Sequence, residues 1–210
     1  MTAFPDSPKL QKGHILAIDQ DTRQETVIGF QYNPDTLTRK LTAQSVTAGS
    51  GADRAEALRL TGPPQETISL EIEIDATDQL EVVQSGNDIV VQLGINPALA
   101  ALEILLYPQY RQVSQNEDNA AKGMIEIIPF EAPLTLFVWG KNRTVPVRLT
   151  SFNVTEEAFD PDLNPVRAKV SLEMQVLTYF DLGFNNRGGQ TFITYHQNKE
   201  QWAKKNKNVS

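Results

Sequence analysis

The stretch FDPDLNPVRAKVSL, Phe159 to Leu172, decides how this chain is read. Asp160, Pro161, Asp162, Asn164 and Pro165 supply turn chemistry: proline fixes φ and lacks a donor, while Asp and Asn side chains bond their own backbone. Beyond the turn, Val166, Ala168, Val170, Leu172, Met174 and Val176 alternate with Arg167, Lys169, Ser171, Glu173 and Gln175. That period of two marks an antiparallel strand with one dry and one wet face. A long hairpin is expected, its arms running from Arg143 to about Glu157 and from Val166 to Tyr179. Each arm is about twice the usual ~5–6 residues of a strand, so it either projects beyond one sheet or spans two.

Working outward, Leu134, Leu136 and Val138 lead through Trp139 and Gly140 into this hairpin. Ile68, Leu70, Ile72 and Ile74 alternate with Ser69, Glu71, Glu73 and Asp75, a second amphipathic strand. His14 to Asp19 and Thr26 to Tyr32 read as an opening hairpin around a polar turn. Strand pattern also returns near Met124. From Asn33 to about Pro64 the chain is polar and reads as a long exposed excursion. Between Asp78 and Leu93 the mixed spacing predicts one or two short helices. Asn96 as cap and Pro97 at the first helical position then open an apolar helix that reaches Tyr107, before Pro108. With only Glu103 charged, this helix has to be covered nearly all round, by the core or by a neighbour. Gln109 to Gly123 is polar and suits a surface loop. The fold class expected from these residues is mainly β with flanking α.

The composition bounds the function. The chain has 210 residues, 40% hydrophobic and 21% charged, with a formal net charge of −7. One large domain plus a tail fits that length. The expected division is an N-terminal extension over 1–11, a main domain over 12–182 and a C-terminal tail over 183–210. No run of about 18 apolar residues offers a membrane span, so direct membrane insertion is not expected. Met1 to Gln11 has neither a basic start nor an apolar core; no secretory signal is expected, and assembly in the cytoplasm is. The negative charge argues against nucleic acid, whose phosphates need a basic surface. With no cysteine and only His14 and His196, a zinc site is not expected.

No nucleophile elbow, phosphate-binding loop, zinc-protease motif or dinucleotide fingerprint occurs, so no catalytic residue, cofactor or metal is assigned. Asp19 and Asp21 have the opening spacing of a calcium loop, but the third acid and the glycine are missing. Glu156, Glu157, Asp160 and Asp162 crowd the hairpin end; a solvated tip explains them better than acid–base work. Trp139, after three alternating apolar residues and before a glycine, reads as a packed core or interface side chain.

Three stretches occur in one order: FQYNP at Phe30 to Pro34, LTLFVWGK at Leu134 to Lys141, and the hairpin stretch itself. Together they resemble the tube-like domain of contractile injection system proteins, the phage-tail-like machines in which a baseplate adaptor joins the inner tube to the spike hub. The resemblance covers about Lys12 to Leu182. It implies a tail-tube fold, two sheets packed as a barrel or sandwich with a flanking helix, whose copies join edge to edge into a hexameric ring. It implies a structural role rather than an enzyme. The partners it implies are the inner tube protein, the spike or hub protein, and baseplate wedge or sheath subunits of a particle that is assembled in the cytoplasm and in some systems released. Many relatives carry a C-terminal LysM module; with about 28 residues after Leu182, none is expected in this sequence. An inner tube or tube-cap subunit shares the same fold, and a ligand-binding barrel is the alternative from another class.

The joining mechanism expected is β-augmentation, in which neighbours satisfy the unpaired backbone of long edge strands. The residues expected at subunit contacts are Thr38, Leu41, Arg54 and Leu58 in the excursion, and Glu157, Phe159, Asp160, Asp162 and Val166 around the hairpin end. In the tail, Asn185 to Gln190 reads as a flexible break, followed over Thr191 to Lys207 by a short helix with one aromatic side, in which Tyr195 and Trp202 serve as anchors beside lysines.

Overall fold

The computed structural model describes residues 11–20, 22–45, 59–77, 89–123 and 129–206. Its strands are β1 His14–Ile18, β2 Glu25–Gly29, β3 Leu37–Thr42, β4 Gln65–Asp75, β5 Leu134–Val138, β6 Thr144–Phe159 and β7 Pro165–Val176. Its helices are α1 Ile89–Leu93, α2 Asn96–Glu103, α3 Tyr110–Ala121, α4 Tyr179–Leu182 and α5 Arg187–Lys205.

All seven strands form one antiparallel sheet in the order β2-β1-β5-β6-β7-β4-β3. This confirms the mainly β class and corrects the expected pair of sheets closed as a barrel. The reason is β6, 16 residues long. Its start pairs with β5, up to Thr135 opposite Val147, while its length to Phe159 pairs with β7. One ribbon therefore splices both halves into a single sheet, and among the described residues nothing pairs β2 with β3.

The expected hairpin is present. Its turn is tied by Asp160, whose Oδ1 accepts the N–H groups of Asp162 and Asn164 at 2.8 Å each and whose Oδ2 accepts the Asn164 side-chain amide at 2.9 Å. These bonds hold the Asp160 carboxyl below the ordinary carboxylate range, the Asn164 side chain contributing most. They also let Leu163 take a left-handed φ of 66°.

Register explains the core. Leu149, Met174 and Ile68 are cross-strand neighbours, as are Val154, Val170 and Ile72, so the apolar phases of β6, β7 and β4 coincide. Ile15, Phe30, Phe137, Val145 and Val147 continue the same buried cluster. Trp139 stacks on Phe137 with ring centroids 5.9 Å apart, the packed role expected of it. Strand β5 is central and covered on both sides: Leu134 and Leu136 join Ile18 in a smaller cluster against Leu182.

Three local expectations are corrected. The apolar helix is shorter: Asn96 is its first residue and not its cap, and α2 ends at Glu103. It is covered on one side only, with Leu99, Leu102 and the following Leu105 buried while Ile104, Leu106 and Tyr107 are exposed. The predicted loop 109–123 is instead the polar helix α3, anchored where Gln109 Nε2 donates to Asp19 Oδ2 at 2.7 Å. The predicted break at Asn185 to Gln190 is the start of α5, whose first turn is capped by Asn186 Oδ1 accepting from the Gly188 N–H at 3.0 Å. The strand expected near Met124 lies outside the described residues, as does most of the predicted helical stretch before Ile89.

Candidate assembly interface

The sheet ends in strands β2 and β3, each hydrogen-bonded to a named strand on one side only. A third open stretch lies inside it. From Arg148 to Phe159, β6 pairs with β7 on one side, and no described strand continues β5 along the other. Unpaired N–H and C=O groups in such edges accept a further strand unless charge, proline or bulges prevent it. Here β6 carries register shifts after Leu149 and after Glu156, which kink its outer half.

The fourth candidate edge is already blocked. Strand β4 outruns β3 beyond Leu70, and Gln31 fills the gap: Asp75 N–H donates to Gln31 Oε1 at 2.8 Å, and Gln31 Nε2 donates to the Asp75 carbonyl at 2.5 Å. One amide side chain thus imitates a neighbouring strand.

The predicted contact residues divide between these edges. Thr38 and Leu41 sit on β3, both exposed. Glu157 and Phe159 end β6, where Phe159 is 52% exposed and Glu157 is paired to Lys169 at 2.9 Å. Asp162 is exposed at the turn, Asp160 is engaged in tying it, and Val166 is partly buried against the core. Leu163, not predicted, is the most protruding apolar side chain there at 78% exposed. Arg54 and Leu58 lie outside the described residues. Trp202 is exposed on α5, whereas Tyr195 is 3% exposed and engaged within its own fold.

The group that sequence reading missed is the polar cluster around Tyr195. Glu66, 2% exposed, stands in phase with Ile68 and Leu70 on β4. Its Oε1 accepts Arg39 Nε at 2.7 Å and the Tyr195 hydroxyl at 3.2 Å, and its Oε2 accepts Lys199 Nζ at 2.9 Å. Arg39 also donates to the Tyr195 hydroxyl at 2.9 Å, and the Lys199 ammonium lies 4.0 Å from the centre of the Tyr195 ring. Burial alone raises the Glu66 pKa, but the bonds from Lys199 and Arg39 outweigh it and hold the carboxyl below its ordinary 4.5. Burial, with the Glu66 charge, pushes the Tyr195 phenol up to about 12.

A stability consequence follows from the sign of that shift. A depressed folded pKa means the unfolded chain takes up its proton first as pH falls, so the cluster stabilises above pH ~4.5 and is lost as pH drops through the lower folded value. Replacing Glu66 by Gln should cost about 1.5–3 kcal/mol at neutral pH, the range for a hydrogen bond to a charged group. It should also flatten the acid limb of a urea-midpoint profile as pH falls below the ordinary 4.5 of the carboxyl.

An apolar cleft of about 330 Å³ lies between β2, β4 and α2, lined by Ile28, Phe30, Ile72, Ile95 and Leu102, with Gln31 and Asp75 at its polar margin. Among the described residues it collects no cluster of catalytic or metal-ligating side chains.

Over residues 9–179 the sequence matches the family described as contractile injection system tube protein. The chain belongs to that family. The matched span holds all seven strands and α1 to α3 and ends at Tyr179, so α5 lies outside it. Members are structural tube components of contractile injection systems. A search of curated proteins finds no match. Among solved structures, the chain is similar to one from the tail of an empty GTA particle refined with C6 symmetry: 12% identity, 79% of this chain and 90% of that one, TM-score 0.34. Another is from the virion of a native gene transfer agent particle: 11% identity, 78% and 90% coverage, TM-score 0.30. No helix among the described residues is long and apolar enough to cross a membrane.

Proposed function

We propose that this chain forms a ring, hexameric in the family resemblance, that continues the inner tube of a contractile injection system and seats it on the spike hub. The observation that carries ring formation is the open sheet: among the described residues, β2 and β3 each leave a backbone edge unpaired. Different edges on one subunit favour a heterologous, head-to-tail contact, and such contacts remove every edge only when the ring closes. The baseplate position, with inner tube, hub and wedge or sheath subunits as neighbours, rests on the sequence resemblance.

Thr38 and Leu41 on β3, and Glu157, Phe159, Asp162 and the newly seen Leu163 at the hairpin end, are the contacts this reading assigns. Reversing the charge of the exposed Asp162 with lysine should leave the melting temperature of the isolated chain unchanged and lower the yield of rings in sedimentation. Rings that form normally with combined changes at Thr38, Leu41 and Asp162 would count against the assignment.

An inner tube subunit is the second reading, favoured by the family's own description. Copy number separates the two: cryo-electron microscopy of the assembled particle would find one ring at the tube base for the adaptor and a repeat in every layer for the tube protein.

A further inference from the structure

Helix α5 stands beyond the family-matched span, yet it is built into the fold. Gly188, Phe192 and Tyr195 are buried in it. Its partners come from distant parts of the sheet: Arg187 meets Glu25 on β2 at 2.9 Å, Gly188 lies against Leu134 on β5, and Tyr195 and Lys199 reach Glu66 on β4. Through Glu66 the helix is joined to Arg39, which belongs to edge strand β3.

The arrangement at Glu66 is more specific than a helix resting on a sheet. A buried carboxylate tolerates removal from water only with charged partners of good geometry. Here one partner comes from the edge strand and two from the helix, and the Arg39 and Tyr195 groups also bond each other. Loss of either element removes one of the two cations from the buried Glu66 carboxylate on β4 and breaks the Arg39–Tyr195 bond. Arg143, in the β5–β6 turn, is the remaining charged group whose field reaches Tyr195.

We infer that α5 is a clamp on edge strand β3: docking of the helix and ordering of the strand are coupled through the shared Glu66 carboxylate, so β3 is held rigid only while α5 is seated. Strand β3 needs such support. It is six residues long, pairs on one side only among the described residues, and has no fully buried residue of its own. A preformed edge spares a joining neighbour the cost of ordering it. That last consequence rests on the reading of β3 as a joining edge; the coupling itself does not.

Hydrogen exchange on the unassembled 210-residue chain tests the clamp. In Lys199→Met, which leaves the carboxylate and Arg39 in place, amides of β3 and α5 should lose protection together, by about tenfold or more for one charged hydrogen bond. Amides of β1 and β5 should keep theirs. Glu66→Gln should move the same two segments further. If α5 loosens while β3 stays protected, or if neither changes in Lys199→Met, the clamp is wrong. Ring yield measured on the same variants keeps the two ideas apart. Coupled exchange with unchanged rings would sink the joining role of β3 alone, and uncoupled exchange would sink the clamp whatever the rings do.

Discussion

Leu172→Asp should yield no folded protein. Leu172 is 2% exposed in the middle of β7, opposite Leu70 on β4 and Phe152 on β6, in a sheet whose apolar register runs through it. The substitution removes a buried side chain worth about 2–5 kcal/mol when truncated. It also introduces a carboxylate that the site gives no partner, a further cost of several kcal/mol. Single domains have only ~5–15 kcal/mol in all, so the sum consumes most or all of the margin. Far-ultraviolet circular dichroism and a flat thermal trace would show the loss. A cooperative unfolding transition in Leu172→Asp would mean that β7 is not the centre of the core. Asp162→Lys, ten residues away at the exposed turn, is the matching control and should melt like the parent.

The contrast between those two sites was readable in the sequence, because both follow from period-two alternation and turn chemistry, which are local. Strand β4 and the β6–β7 hairpin were legible for that reason. The number of sheets was not, since it depends on which partners flank β6 along its length, and those choices are made across the chain. Glu66 could have been noticed: it falls on the same parity as Ile68, Leu70 and Ile72, and a charge in phase with a dry face demands partners. Its partners were not legible, because Arg39, Tyr195 and Lys199 reach it from 27, 129 and 133 residues away.

Helix α5 was legible in part: the short helix expected over Thr191 to Lys207 is present, but its first turn was read as a break. Gly188 and Gly189 read as a break because glycine disfavours helix by about 1 kcal/mol relative to alanine. A different signal was present: Gly188, Phe192, Tyr195, Lys199 and Trp202 recur at alternating steps of four and three, one stripe of a helix. The glycines belong to that helix as the point of closest approach, where packing overrides propensity.

Gly189→Ala turns this competition into a measurement. On propensity alone alanine should stabilise α5, by up to about 1 kcal/mol. The structure argues for the reverse. A Cβ at position 189 would stand 2.0 Å from the Gly183 carbonyl oxygen and 3.1 Å from its carbon, both backbone atoms. Backbone cannot swing aside as a long side chain can, so the start of α5 must lift from the α4–α5 turn. That turn is pinned by the Gly183 N–H bonding the Tyr179 carbonyl and by Gln190 Nε2 donating to the Phe184 carbonyl at 2.7 Å. Overpacking of this kind costs about 1–3 kcal/mol and occasionally more, which exceeds the propensity gain. The net result should be a lowered urea midpoint. Loss should appear first in α5, since Phe192 and Tyr195 can reach the core only when the helix begins close to it. If Gly189→Ala stabilises the chain, propensity has won, and α5 is seated by its aromatic and charged contacts without needing close approach at its first turn.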